Sequence, residues 1–206
     1  MIKVIDPGLY SSIQDNGRFR FRNIGVPYSG FMDNESAGIA NKIVGNKESE
    51  SLIEITLKGP TLLFNNAYTL SITGGDFSSL INNDKIDKYK PIHVKLGDTL
   101  KINHTKSGAR CYLAISGGID IKSILGSKSS FKGITSSYFL KKGDEIKIIN
   151  NNKSNFSFDC KSVFKIDSVL HVSKGPEFCM LKKDSLDILF NKKFTIGINN
   201  RMGYNL

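Results

Sequence analysis

Paired cysteines, paired histidines and long apolar runs are all missing from this 206-residue chain. Its three cysteines, Cys111, Cys160 and Cys179, stand far apart. An odd, dispersed set argues against a disulfide framework and against a structural zinc site. Cys111 lies inside an apolar, strand-like run, where a free cysteine behaves as a small hydrophobe. His93, His104 and His171 are just as scattered, with no HxH or HExxH spacing. No metal centre is expected from them. No stretch approaches the roughly 18 apolar residues that a membrane span needs. The opening MIKVIDPGLY lacks the basic-then-apolar signature of a signal peptide. The expectation is a cytoplasmic chain with no membrane partner.

A dense basic block is missing too, although the net charge is +10, from 29 Lys+Arg against 19 Asp+Glu. The lysines are spread thinly, and no RNA-binding or helix-turn-helix pattern accompanies them. No nucleic-acid partner is expected. A positive field of this size suits attraction of anionic small molecules.

What is present is β pattern. Hydrophobic residues make up 39% of the chain, enough for a core. At this length the chain suits one large domain or two small ones. IKVI at 2–5, LIEITL at 52–57, TLLF at 61–64, YTLSIT at 68–73, TLKIN at 99–103, RCYLAIS at 110–116, EIKII at 145–149 and KFTIGI at 193–198 read as short strands. Strands of this kind suggest a barrel or sandwich. Two helices are expected. One follows Asp33 as N-cap, with Glu35 in the first turn and Gly45 at its end. The other starts near Asp184 as cap. LGDTLKI at 96–102 and KGDEIKI at 142–148 repeat a Gly-Asp turn ahead of a strand. The polar NNNKSN at 150–155 is the linker candidate. It divides the chain into 1–150 and 151–206.

The richest segment runs from Ser12 to Asn46, where Gly, Pro and ionisable residues crowd around a helix start. Gly serves where the backbone needs positive φ or close approach. Gln14, Asp15 and Arg18 bracket a Gly turn. Arg suits bidentate carboxylate recognition, and equally a turn-stabilising pair with Asp15. Ser29, Asp33 and Asn41 flank the helix start, where backbone N–H groups favour anions. They equally suit shaping and capping the turn. Alternation puts Arg110, Tyr112 and Ala114 on one strand face and Cys111, Leu113 and Ile115 on the other. An Arg and a Tyr on one face, with Gly117-Gly118 beyond, suit a pocket wall. LGSKSS at 125–130, with Ser127 and Lys128, is a Gly/Ser-rich loop that could cradle an anion, although it is not a Walker A loop.

These motifs also carry a resemblance. QDNGR at 14–18, GVPYSGFMD at 25–33, AN at 40–41, VGN at 44–46, KGP at 58–60, GARCYLAISGG at 108–118, LGSKSS, KKGD at 141–144 and NNRMGYNL at 199–206 occur in order. The set resembles the biotin-dependent carboxyltransferase and allophanate hydrolase subunit 2 family, which includes the C subunit of 5-oxoprolinase together with KipA-like proteins. Arg20, Phe31, Lys128 and the Ser137-Tyr138 pair depart from the family's usual residues. The resemblance implies a mostly β fold: a cyclophilin-like β-barrel with few short helices over 1–150. An incomplete second barrel-like β domain would follow over 151–206, because the family continues beyond the RMGY motif.

The resemblance also implies a function. The chain would be one subunit of an ATP-dependent 5-oxoprolinase, opening a lactam or amide. Its partners would be KipI-like (the B subunit) and LamB/YcsF-like (the A subunit) proteins. The alternatives are a urea carboxylase or allophanate-hydrolase-type carboxyltransferase half, which needs a separate biotin carrier, and a non-catalytic KipA-like regulatory binding protein. ATP would bind this chain or a partner, and a homo- or hetero-oligomer is expected. In this scheme Asp15, Arg18 and Arg110 are the catalytic candidates. Gln14, Ser29, Asn41, Tyr112, Gly117, Ser127 and Arg201 are the substrate- or anion-binding candidates.

Overall fold

The computed structural model describes residues 1–149, 169, 171–197, 199–200 and 203–204. The chain divides into two units, Met1–Cys160 and Lys161–Leu206. The linker candidate at 150–155, Cys160, Arg201 and the end of KFTIGI at 198 lie outside the described residues.

The first unit is built on one sheet of nine strands, curled into a half-barrel. They are β1 (Ile2–Asp6), β2 (Tyr10–Gln14), β3 (Leu52–Thr56), β4 (Thr61–Phe64), β5 (Tyr68–Ile81), β6 (Asp84–Lys85), β7 (Ile92–Val94), β8 (Thr99–Ile115) and β9 (Glu145–Ile146). The order across the sheet is β2-β3-β8-β4-β1-β9, and β5 pairs with β6, β7 and β8. All the pairings are antiparallel. The mostly β fold expected from the pattern is what forms.

The two runs TLKIN and RCYLAIS are one strand, not two. β8 stays extended through the polar Lys106-Ser107-Gly108 because β5 follows it with register shifts between Gly74 and Ser79. Bulges of this kind let a long pair bend without ending. The first part of β8 pairs with β4 and its last part with β3, so one strand turns the sheet's corner. Ile2, Val4, Ile53, Ile55, Leu70, Ile72, Leu113 and Ile115 point to the enclosed side and are all nearly fully buried.

The first helix, α1 (Asn34–Ile43), forms as the pattern predicts. The Asp33 carboxylate accepts from Ser36 N at 2.9 Å, which satisfies one of the N–H groups a helix start leaves over. Its small face, Ala37 and Ala40, lies on the outer side of β5 and β8. Two sheet hydroxyls hold it there: Ser71 Oγ donates to Ala40 O and Thr73 Oγ1 to Ser36 O, at 2.6 and 2.7 Å. The repeated Gly-Asp turns are structural twins. Asp98 accepts from Lys95 N at 2.7 Å and Asp144 from Lys141 N at 2.8 Å.

The second unit contains α2 (Lys183–Asn191) and a two-residue pair, β10 (Asn199–Asn200) with β11 (Gly203–Tyr204). Two expectations are corrected here. Asp184 lies in the first turn of α2, and Lys182 occupies the cap position without a side-chain bond. The segment at 193–197 is not a strand, since no ladder partner meets it among the described residues.

Candidate functional site

Register places a polar row on the outer face of the sheet. Ser12 of β2 opposes Glu54 of β3, Glu54 opposes Tyr112 of β8, and Tyr112 opposes Thr73 of β5. All four side chains are buried. The next row outward is Tyr10, Thr56 and Arg110. The next row inward is Gln14 and Leu52 with Ser71 beyond. The opposite faces of the same strands carry Ile13, Ile53, Ile55, Cys111 and Leu113, which enter the core. The alternation expected for 110–115 therefore holds, with Arg110 and Tyr112 on the polar side.

Glu54 is the centre of this face and is 1% exposed. Its Oε2 accepts from Met32 N at 2.9 Å, and its Oε1 lies 3.4 Å from Arg110 Nε. A buried carboxylate needs such partners, because desolvation of an unpaired charge is costly. Tyr112 is fully buried and its hydroxyl accepts from Asp33 N at 2.8 Å. Burial, with Glu54 beside it, pushes the Tyr112 phenol far above its ordinary value. Phe31 meets the Tyr112 ring edge-on. Glu54 and Tyr112 thus dock the segment at 31–33 and set the start of α1. Arg110 stands at the open margin, its side chain 19% exposed. Glu54 was not anticipated, although a lone Glu between the apolar neighbours of LIEITL was its signal.

The QDNGR turn forms a second cluster with the LGSKSS loop. Asp15 Oδ1 accepts from Ser127 Oγ, Ser129 Oγ and Gly17 N at 2.6, 2.5 and 2.9 Å. Its Oδ2 accepts from Lys128 N at 2.6 Å. Arg18 is 1% exposed. It donates to Ile124 O and Ser29 Oγ, both at 3.1 Å, and to Ser129 O. Burial pushes its guanidinium below the usual value, while the nearby Asp15 charge works the other way. Asp15 and Arg18 form no ion pair with each other.

The remaining candidates are also engaged. Asn41 Nδ2 donates to Glu48 O and Glu50 O, and its Oδ1 accepts from Asn46. Asn46 in turn accepts from Gly117 N at 2.9 Å. These bonds fix the α1 exit against the Gly-Gly turn. Gln14 Nε2 donates to Ser12 Oγ and Ser130 O, and its buried Oε1 has no partner among the described residues. Lys128 Nζ reaches Glu50 Oε1 at 2.7 Å and Ile119 O at 3.1 Å. Burial works to raise the Glu50 carboxyl, but the bonds from Lys128 and Ser51 outweigh it and hold it below the ordinary range.

The structure thus brings Gln14, Asp15, Arg18, Ser29 and Ser127 into one cluster, and Arg110 and Tyr112 into another around Glu54. The first is a hydrogen-bond network in which Gln14 Oε1 is the one buried polar side-chain atom left without a partner among the described residues. The hydroxyls and ammonium that a phosphate would use there already serve Asp15 and Glu50, so these side chains do not fit a triphosphate. No group of three or more His, Cys, Asp or Glu suited to a metal occurs among the described residues. No described helix is long and apolar enough to cross a membrane.

Residues 24–206 match the family described as carboxyltransferase domain, subdomain A and B. The whole chain is 36% identical to part of the urea amidolyase of Saccharomyces cerevisiae, of which it spans 12%. It is 28% identical to the C subunit of the Escherichia coli 5-oxoprolinase, again over its whole length, and spans 68% of that protein. Among solved structures, the K. lactis urea amidolyase superposes with a TM-score of 0.82 at 33% identity, over 98% of this chain and 14% of that one.

Proposed function

Since this chain belongs to the carboxyltransferase domain, subdomain A and B, family, we propose that it is a component of an ATP-dependent, 5-oxoprolinase-type enzyme that opens a lactam. One observation carries the choice of substrate class. The whole chain aligns with the 5-oxoprolinase C subunit of Escherichia coli, of which it spans 68%. In this reading Arg110 is the residue that meets substrate. It is the described arginine of the candidate set that combines solvent access with a fixed orientation, through Glu54. A guanidinium held by a buried carboxylate is a preorganised donor for an amide oxygen as negative charge develops on it. Tyr112 and Glu54 hold the backbone at 32–33 beside it.

Arg18 and Asp15 act as positioning residues. They lock the loop at 17–30 to the loop at 124–129, which leaves neither free for proton transfer. ATP supplies activation of the amide oxygen by phosphorylation. The clustered side chains of this chain do not fit the nucleotide, so it is assigned to the KipI-like or LamB/YcsF-like partners in a cytoplasmic assembly.

A second reading has its own observation. Identity to the yeast urea amidolyase, 36%, exceeds the 28% identity to the 5-oxoprolinase component. On that basis the chain would be one half of a urea-carboxylase-type carboxyltransferase served by a separate biotin carrier.

The test is co-purification with the products of neighbouring genes, followed by ATPase assays with 5-oxo-L-proline or with urea plus bicarbonate. Hydrolysis stimulated by 5-oxo-L-proline and lost in Arg110→Ala supports the first reading. Urea-dependent, biotin-dependent turnover replaces it with the second. A stable complex with no turnover overturns both and leaves a regulatory binding protein.

A further inference from the structure

One concave site in the first unit borders the Asp15–Arg18 cluster through Ser130 and takes no part in the proposed chemistry. It is an open pocket of about 290 Å³ between the β2 end, the strap at 119–121 and the segment at 137–147. Its floor is core surface: Ile13, Leu140 and Ile146 line it and are each at least nine-tenths buried. The volume sits at the small end of the range for metabolite sites.

Two features separate it from a packing defect. The first is Ser130, which lines the pocket and is only 5% exposed. Its backbone is held on both sides: Ser130 N donates to Ile13 O at 2.8 Å, and its carbonyl accepts from Gln14 Nε2 at 3.1 Å. Its hydroxyl, by contrast, has no hydrogen-bond partner among the described residues. Its oxygen is not sealed in the core, so solvent, and equally a ligand, reaches it through the pocket. A serine fixed in place with an unmatched hydroxyl beside an apolar floor is a prepared contact for a polar atom of a ligand.

The second is the rim. Asp120, Asp144 and Glu145 line the mouth, with Lys147 as the one cation among the lining residues. The Asp144 carboxylate is tied to its own turn through Lys141 N. The Asp120 and Glu145 carboxylates have neither hydrogen bond nor ion pair among the described residues. Lys3, which opposes Glu145 across the β1–β9 register, forms no ion pair with it. Among the lining residues the mouth carries three carboxylates against one ammonium, with the Lys141 ammonium over the Phe139 ring nearby. Field lines focused at an acidic mouth over apolar walls favour a cation.

We infer that this pocket binds a small organic cation. Its ammonium group sits at the rim of Asp120 and Glu145. Its apolar body lies on the floor of Ile13, Leu140 and Ile146, within reach of the Ser130 hydroxyl. Ser130 immediately follows Ser129, whose hydroxyl bonds Asp15 and whose carbonyl accepts from Arg18. An occupant would therefore press on the back of the loop that carries that network. The inference stands whichever reaction the assembled enzyme performs.

The test is an amide-resolved NMR titration of the full chain with three probes of one shape: benzylamine, benzyl alcohol and benzoate. Benzylamine is expected to give saturable shifts at Ser130, Leu140 and Ile146. Benzyl alcohol should bind about fivefold more weakly, the size of an exposed charge contribution, and benzoate not at all. Ser130→Ile should block the pocket. Because that change could disturb the loop, the surface pair Asp120→Asn with Glu145→Gln serves as a second variant and should bring benzylamine down to the level of benzyl alcohol. Absence of saturable shifts with every probe overturns the site. Equal binding of the amine and the alcohol, or an amine affinity unchanged in the charge variant, overturns the ligand class.

Discussion

Asp15 and Arg18 lie three residues apart and grip the same loop instead of each other. The carboxylate takes Ser127, Lys128 N and Ser129 Oγ, and the guanidinium takes Ile124 O and Ser129 O. Two opposite charges one turn apart would pair directly if nothing else were near. Here the loop supplies both donors and acceptors, so each charge is satisfied by the group that matches it.

Arg18→Ala should therefore act as a stability mutation. It leaves the buried Ser129 carbonyl without its donor, takes one of the two donors from Ile124 O, and removes a fully packed side chain. A loss of about 3 kcal/mol is expected, within the range for breaking a buried charge network. Arg18→Lys should recover only part of it, because one ammonium cannot span the three acceptors. Denaturant unfolding of the purified chain measures both, and an Arg18→Ala variant as stable as the parent would refute the clamp.

Glu54 allows a sharper comparison. Glu54→Gln keeps an acceptor for Met32 N but loses the charge facing Arg110, whereas Glu54→Ala loses both. The alanine variant should cost about 3–5 kcal/mol and the glutamine variant distinctly less. The same unfolding measurement decides it. If the two variants are equally destabilised, the bond to Met32 N contributes nothing.

The Glu50–Lys128 pair carries a pH signature. The folded state holds the Glu50 carboxyl below its ordinary value. Its contribution is therefore complete above the unfolded value of about 4.3, and it is lost as pH falls through the folded value. Glu50→Gln mimics the protonated group. It should cost about 1 kcal/mol at pH 7 and progressively less below about pH 4. A gap between parent and variant that stays constant from pH 7 to pH 3 would contradict the assignment.

The thiols should differ in reactivity. Cys111 is fully buried and its burial pushes the thiol far above the usual value, whereas Cys179 is exposed. Thiolate is the reactive form. Peptide mapping after iodoacetamide treatment should find Cys179 labelled in the native protein and Cys111 labelled only after denaturation. Native-state labelling of Cys111 would mean that β8 opens far more readily than its pairing on both sides implies.

Two glycines separate conformational strain from steric clash. Gly8 and Gly97 both have positive φ, at +73° and +90°. A Cβ at Gly8 would lie 2.4 Å from Lys58 O, whereas at Gly97 it meets nothing within 4 Å. Gly97→Ala should cost about 1–2 kcal/mol from the left-handed backbone alone. Gly8→Ala should cost clearly more, because the obstacle is backbone. Thermal unfolding of the two variants is the check.

Much of the fold was legible in particular residues. TLLF at 61–64 became β4 to the residue. The alternation of RCYLAI sorted Arg110 and Tyr112 from Cys111 and Leu113 because side chains in any strand alternate, whatever its neighbours. Asp33 capped α1 because a cap is a local bond across three residues. The joining of TLKIN to RCYLAIS was not legible. Lys106-Ser107-Gly108 looks like a break, and only β5, lying alongside with its register shifts, keeps it extended. KFTIGI shows the converse at 193–197, where good strand chemistry meets no ladder among the described residues.

By itself the sequence determined the local features of this protein: strand faces, the capped helix, and the twin Gly-Asp turns. These depend on interactions within a few residues, which composition and spacing record directly. Tertiary structure alone decided which groups meet. It sent Asp15 and Arg18 to a loop more than a hundred residues away, set Glu54 against Met32 N and Arg110, and left the Ser130 hydroxyl facing a pocket. The energies that choose those partners, desolvation of buried charge and the pairing of every buried donor and acceptor, are properties of the assembled sheet, not of any one strand.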